Sequence, residues 1–204
     1  MKITTLLFIA LLSISSFGFA QSVTIGTQTW TTLNLDVATF RNGDAIPEAK
    51  TIEEWAAAGD NKQAAWCYYE NNAANGTKYG KLYNWYAVND SRGLAPLGYH
   101  IPSDTEWTKL SDYLGGEESA GKKMKNLSGW LDEGNGNNSS GFSGLPGGFC
   151  VGNFRYVGDF GVWWSASEYD DSDAWGLGLV SAYSNLHRDN SIKSFGFSVR
   201  CVKD

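Results

Sequence analysis

The sequence predicts an α+β fold: short helices packed on a small twisted antiparallel sheet, with long loops between them. Three observations carry this. Ser103 to Leu114 reads as a helix with a start, a buried face and a stop. Short runs of β-branched and aromatic residues, punctuated by turn residues, recur along the rest of the chain and read as strands. Finally, 24 glycines accompany 9 tryptophans, 10 tyrosines and 10 phenylalanines, a pairing suited to loops held together by bulky rings.

In chain order, Met1-Lys2, the apolar run Leu6 to Leu12 and the small residues Gly18 and Ala20 form a secretory signal peptide pattern over residues 1–20. Its apolar core is too short for a span of about 20 residues. One domain is expected over residues 21–204. Val23, Ile25 and Thr27 alternate as a strand, and Leu33 to Val37 suggests a second. Thr51 and Glu54 have capping-box spacing ahead of a short helix that Gly59 is expected to stop. Ala65 to Glu70 has strand composition, Asn71 to Thr77 reads as a polar loop, and Tyr79 to Val88 is an aromatic arm.

The central helix has the fullest set of signals. Ser103 and Glu106 form a capping box, and Asp104 and Glu106 place negative charge where the helix dipole favours it. Trp107, Leu110 and Leu114 share one face, and Gly115-Gly116 supplies a left-handed stop. Glu117 to Lys125 offers one or two further helical turns, and Ser128 to Gly148 reads as irregular. From Phe149 onward the chain reads as short strands, with a turn at Val151–Phe154. Trp175, Leu177 and Leu179 fall on one strand face and Gly176 and Gly178 on the other. In the closing GFSVRCV, Phe197, Val199 and Cys201 point one way and Ser198, Arg200 and Val202 the other.

The net charge is −6 at pH 7, with no run of like charge. That disfavours nucleic acid and anionic membrane, which reward clustered Lys and Arg. With three cysteines, one disulfide and one free thiol is the simplest count in an oxidising compartment. Their spacing is neither CxxC nor a zinc knuckle.

Several motifs together resemble a known family. CYYENN (67–72), YGKLYNWYAVND (79–90), RGLAPLGYHIPSDTEW (92–107), SGFSGLPGGF (140–149), WWSASE (163–168) and GFSVRCVKD (196–204) are similar, in order, to the Fibrobacter succinogenes major paralogous domain family. The resemblance implies an exported bacterial domain. GYHIPSDTEW and GFSVRCV are also distantly similar to the formylglycine-generating-enzyme and C-type-lectin-like group. That implies a loop-rich C-type-lectin-like fold whose termini meet in one sheet. Cys67 and Cys201 occupy the family's two cysteine positions, which implies a disulfide between them, worth roughly 4–5 kcal/mol on the chain-entropy model. The competing reading is two buried thiols. Cys150 falls outside the pattern and is expected to be unpaired. The enzymes of the distant group use paired cysteines and copper, and here Cys150 and Cys201 lie far apart in the chain.

Site candidates follow from residue chemistry. Trp163, Trp164 and Trp175 could stack on sugar rings; the alternative is core. Adjacent Trp163 and Trp164 cannot share a strand face, so one is expected to be exposed. Glu168, Asp170, Asp171 and Asp173 are the densest acidic cluster and a candidate calcium site, against a plain solvated loop. Gly141 to Leu145 nearly matches a nucleophile elbow, but leucine stands where glycine is required. His100 reads as structural. The leading expectation is a non-enzymatic recognition module for a polysaccharide or a cell-envelope protein. The alternatives are a copper thiol oxidase of the formylglycine-generating type and a structural envelope subunit.

Overall fold

A computed structural model describes residues 21–204; the signal-peptide expectation for residues 1–20 lies outside the described residues. The helices are α1 (Ile52–Asp60), α2 (Ala73–Tyr79), α3 (Trp85–Val88), α4 (Asp104–Tyr113) and α5 (Glu117–Met124). The strands begin with β1 (Ser22–Ile25), β2 (Gln28–Thr31), β3 (Trp66–Cys67), β4 (Leu82–Tyr83) and β5 (Tyr99–His100). They continue with β6 (Gly147–Cys150), β7 (Phe154–Val157), β8 (Phe160–Glu168), β9 (Asp173–Val180), β10 (Leu186–Ile192) and β11 (Val202–Lys203). The class is mixed α+β.

Three sheets organise the described residues. One has the order β1-β2-β11-β5, so the first and last described strands lie in one sheet, with Val202 opposite Trp30. The largest has the order β10-β9-β8-β6-β7, and β3 pairs with β4. The strand expected at Leu33 to Val37 lies upstream instead, at Gln28–Thr31. The reason is burial: Trp30 is fully enclosed, whereas Leu33 is 58% exposed.

Helix α4 forms as its sequence signals predict. Both halves of the capping box are present, and Trp107, Leu110 and Leu114 are buried. Gly115 and Gly116 both adopt positive φ, and their N–H groups donate to Asp112 and Ser111 carbonyls. Glu106 also holds His100: Nε2 lies 2.8 Å from Glu106 Oε1, and Nδ1 lies 2.8 Å from Asp204 Oδ1. The start of α4 is thereby tied to the last residue. Two other helical expectations shift. Gly59 does not stop α1, which ends at Asp60; glycine is needed there because a Cβ would lie 2.7 Å from Ser194 Cβ. The supposed polar loop at Asn71 to Thr77 is mostly α2, because Asn72 caps it by accepting from the Ala74 N–H.

Among the described residues the interior divides into three apolar clusters. The first joins Phe40, Trp66, Tyr83, Trp85, Trp164, Phe197, Val199 and Cys201. The second joins Trp30, Trp107, Leu110, Phe142, Trp163, Leu177, Leu179 and Val202. The third is small: Ala49, Trp55, Ala65, Cys67, Tyr69, Leu82 and Cys150. The closing segment runs between the first two, with the alternation its sequence predicts. Its Arg200 is 1% exposed and no carboxylate contacts it among the described residues. The guanidinium instead donates to Asn34 Oδ1 and to the carbonyls of Thr31, Phe142 and Ser143. Burial pushes its pKa down to about 9.

Candidate functional site

The three candidate sugar-stacking tryptophans have different fates. Trp163 and Trp164 are both fully buried, which corrects the expectation that one of them is exposed. Opposite sides of β8 do not mean inside and outside here, because a core lies on each face. Trp163 points into the second cluster and donates to Asn34 Oδ1 at 2.8 Å. Trp164 points into the first and donates to the Tyr83 carbonyl at 2.8 Å. Trp175 is half-buried, but the Arg188 guanidinium lies 3.5 Å from its ring centroid and the Tyr169 ring meets it edge-on at 4.9 Å. Asp104 fixes Arg188 with two hydrogen bonds, and these raise the Arg188 pKa. One face of this indole is therefore already stacked.

The acidic cluster is built around a side chain rather than an open ion site. Lys193 is 4% exposed, and its ammonium donates to the Glu168 carboxylate and to the carbonyls of Asp170 (2.6 Å) and Asp171 (2.9 Å). The Asp170 carboxylate accepts from the Ser172 and Asp173 N–H groups, which lowers its pKa. Asp173 Oδ2 accepts from Asn190. Among the described residues, no group of three or more His, Cys, Asp or Glu side chains is arranged to hold a metal ion. The positive charge among these four residues comes from Lys193, distant in sequence, an arrangement closer to the plain-loop alternative than to a calcium site.

The disulfide expectation is also corrected. All three cysteines are free and buried. Alternation along β3 sends Trp66 into the cluster that contains Cys201 and Cys67 into the other, where Cys150 lies. The cysteine expected to be unpaired is the one that Cys67 faces.

A concave polar site lies away from the Trp163–Asp173 segment. A cleft of about 220 Å³ opens between α5, the 132–135 loop and the 181–184 loop. Lys125 builds its floor. Its ammonium donates to the carbonyls of Val180 (2.8 Å), Ser181 (3.1 Å) and Tyr183 (2.7 Å) and lies 5.1 Å from the Trp130 ring centroid. Burial lowers its pKa. Gly134 lets the two loops touch: a Cβ there would sit 2.5 Å from the Ser181 carbonyl oxygen. Asp132 (φ 49) and Glu133 (φ 58) are consecutive left-handed residues on the rim. Such backbone costs of order 1 kcal/mol or more per residue and tends to gather at functional sites. Both are exposed, as are Lys122, Asn135 and Tyr183, the last at 58%. The cleft thus presents two carboxylates, an amide, an ammonium and a phenol. Such groups exchange hydrogen bonds readily with hydroxyl-rich ligands.

A second surface feature is an aromatic strip. Tyr156, 48% exposed, meets Phe160 at 4.9 Å and Phe149 at 5.5 Å, and Phe149 meets Phe160 at 5.9 Å. Tyr156 also has positive φ, at 61°. Neither surface was found from the sequence. The 132–135 side of the cleft reads only as irregular and the 181–184 side falls in the stretch read as short strands; the one local signal is the acidic run Asp132-Glu133 ahead of Gly134-Asn135. Ser143, from the near-elbow pattern, accepts a hydrogen bond from Asn138 Nδ2 at 2.9 Å.

A family model described as Fibrobacter succinogenes major domain matches residues 23–203, and the chain belongs to that family. No curated protein and no solved structure matches it.

Proposed function

We propose that this member of the Fibrobacter succinogenes major domain family is an exported, non-enzymatic recognition module for a polysaccharide at the bacterial cell surface. The polar cleft carries this reading. Its volume of about 220 Å³ suits one sugar unit rather than a large apolar ligand. Asp132, Glu133, Asn135 and Lys122 supply planar and charged partners for hydroxyls, and Tyr183 supplies a ring at the edge. The C-type-lectin-like scaffold is part of the proposal. It is supported by loop content and by the sheet that joins β1, β2 and β11. Fold analogy alone would not give function, so the proposal rests on the cleft.

Glycan-array binding followed by titration calorimetry tests it. Asp132→Asn with Glu133→Gln should weaken binding at least tenfold while the melting temperature holds. A blank array at high protein concentration, or binding untouched by both changes, would refute the saccharide assignment. The aromatic strip favours a second reading, a protein partner in the envelope. There, Tyr156→Gly would abolish co-purification of the partner and leave glycan binding alone. The copper-oxidase alternative gains little support, because Cys67 and Cys150 are both almost wholly enclosed.

A further inference from the structure

We propose that Cys67 and Cys150 become joined by a disulfide when the chain folds in an oxidising compartment, cross-linking β3 to β6. The inference rests on the export part of the proposed function and is independent of what the cleft binds. Both residues belong to the smallest apolar cluster, at 1% and 0% exposure. Their backbones are fixed separately. Cys67 is paired with Leu82, and Cys150 exchanges two hydrogen bonds with Gly196, at 3.0 and 2.7 Å. The two segments pack tightly: a Cβ on Gly148 would lie 2.7 Å from the Tyr69 ring, two residues beyond Cys67.

Within this cluster the two thiols interact, and that interaction, with burial, raises the Cys67 pKa. Exchange can start from the Cys150 thiolate. It attacks a disulfide-bearing oxidant, such as glutathione disulfide or an oxidised dithiol protein, and one oxidant thiol leaves. The Cys67 thiolate then attacks the mixed disulfide and releases the second. Two protons and two electrons leave the cysteines, and the oxidant departs as two thiols. Because the sulfurs end almost wholly enclosed, exchange must precede closure of the cluster or use a local opening.

The test is peptide mapping of the full chain refolded with oxidised and reduced glutathione. Free thiols are alkylated before digestion without reductant. The expected product is one linked peptide pair carrying Cys67 and Cys150, with Cys201 alkylated. Cys201→Ser should leave the pair intact, and Cys150→Ser should abolish it. Reductant should lower the melting temperature of the unsubstituted protein but not that of Cys150→Ser. Three alkylated thiols after refolding, a pair containing Cys201, or a melting temperature indifferent to reductant would each overturn the proposal. A pair that forms on refolding but is missing from protein isolated, with thiols blocked, from the cells that produce it would support the cross-link and count against the export reading.

Discussion

Replacing Lys193 by methionine isolates the role of an internal cation. Methionine keeps most of the buried stem and removes the ammonium. Three hydrogen bonds are lost, to Glu168 and to the Asp170 and Asp171 carbonyls, along with a contact 5.0 Å from the Trp85 ring centroid. Bonds to a charged group contribute about 1.5–3 kcal/mol each when well shielded. Here the acceptors reach water: Glu168 is 57% exposed at its side chain, and Asp170 and Asp171 are exposed. Solvent recovers much of the gain, so the expected net loss is about 2–3 kcal/mol rather than the full sum. For a domain of this size that is a drop of roughly 4–12 °C in melting temperature. The substitution also leaves a carboxylate and two carbonyls converging without their cation, the oxygen chemistry that calcium takes. Millimolar calcium should therefore restore part of the loss in Lys193→Met and do nothing for the unsubstituted protein. Differential scanning calorimetry with calcium and with chelator reads both effects. A variant as stable as the parent, or a parent destabilised by chelator, would refute the assignment of Lys193 as the built-in cation.

Three further outcomes are expected. Trp107 and Trp163 are both buried in the second cluster, but among the described residues Trp107 Nε1 has no hydrogen-bond partner while Trp163 Nε1 donates to Asn34. Alanine at either position should cost about 3–5 kcal/mol. Phenylalanine should cost about 1 kcal/mol more at Trp163 than at Trp107 in denaturant titrations, since only there is a bond broken. Gly121→Ala should be strongly destabilising in thermal melts, because a Cβ would fall 2.3 Å from the Asn185 carbonyl oxygen. The pH profile should carry two edges. Burial alone would lower the His100 pKa, but its bonds to Asp204 and Glu106 prevail and raise it. Its stabilising contribution is complete below the unfolded value of about 6.5 and is lost as pH rises through the folded one. Burial alone would raise the Glu106 pKa, but Ser103 and His100 lower it. Its contribution is present above the unfolded value near 4.3 and is lost as pH falls through the folded one. His100→Gln should flatten the upper edge in melting temperature plotted against pH.

What the sequence determined is what near neighbours in the chain decide. The cap, face and stop of α4 are local interactions, and they form as Ser103, Glu106, Trp107 and Gly115 predict. The alternation of the closing segment is equally local, and it holds from Phe197 to Val202. The ordered motifs likewise carried the family. Tertiary structure decided whatever depends on which residues meet from afar. Trp163 and Trp164 are both buried only because β8 runs between two cores, and strand periodicity cannot report what lies on either face. The acidic loop has its cation because residue 193 returns to it, and Cys67 faces Cys150 because β3 divides its two side chains between different clusters. The cleft belongs to the same class. Its loops look like unstructured polar chain until Lys125 gathers three carbonyls and Gly134 lets two backbones touch. Polar loops carry no periodicity to read, and convergence is a property of packing, so the geometry of the cleft could not be read from the residues that line it.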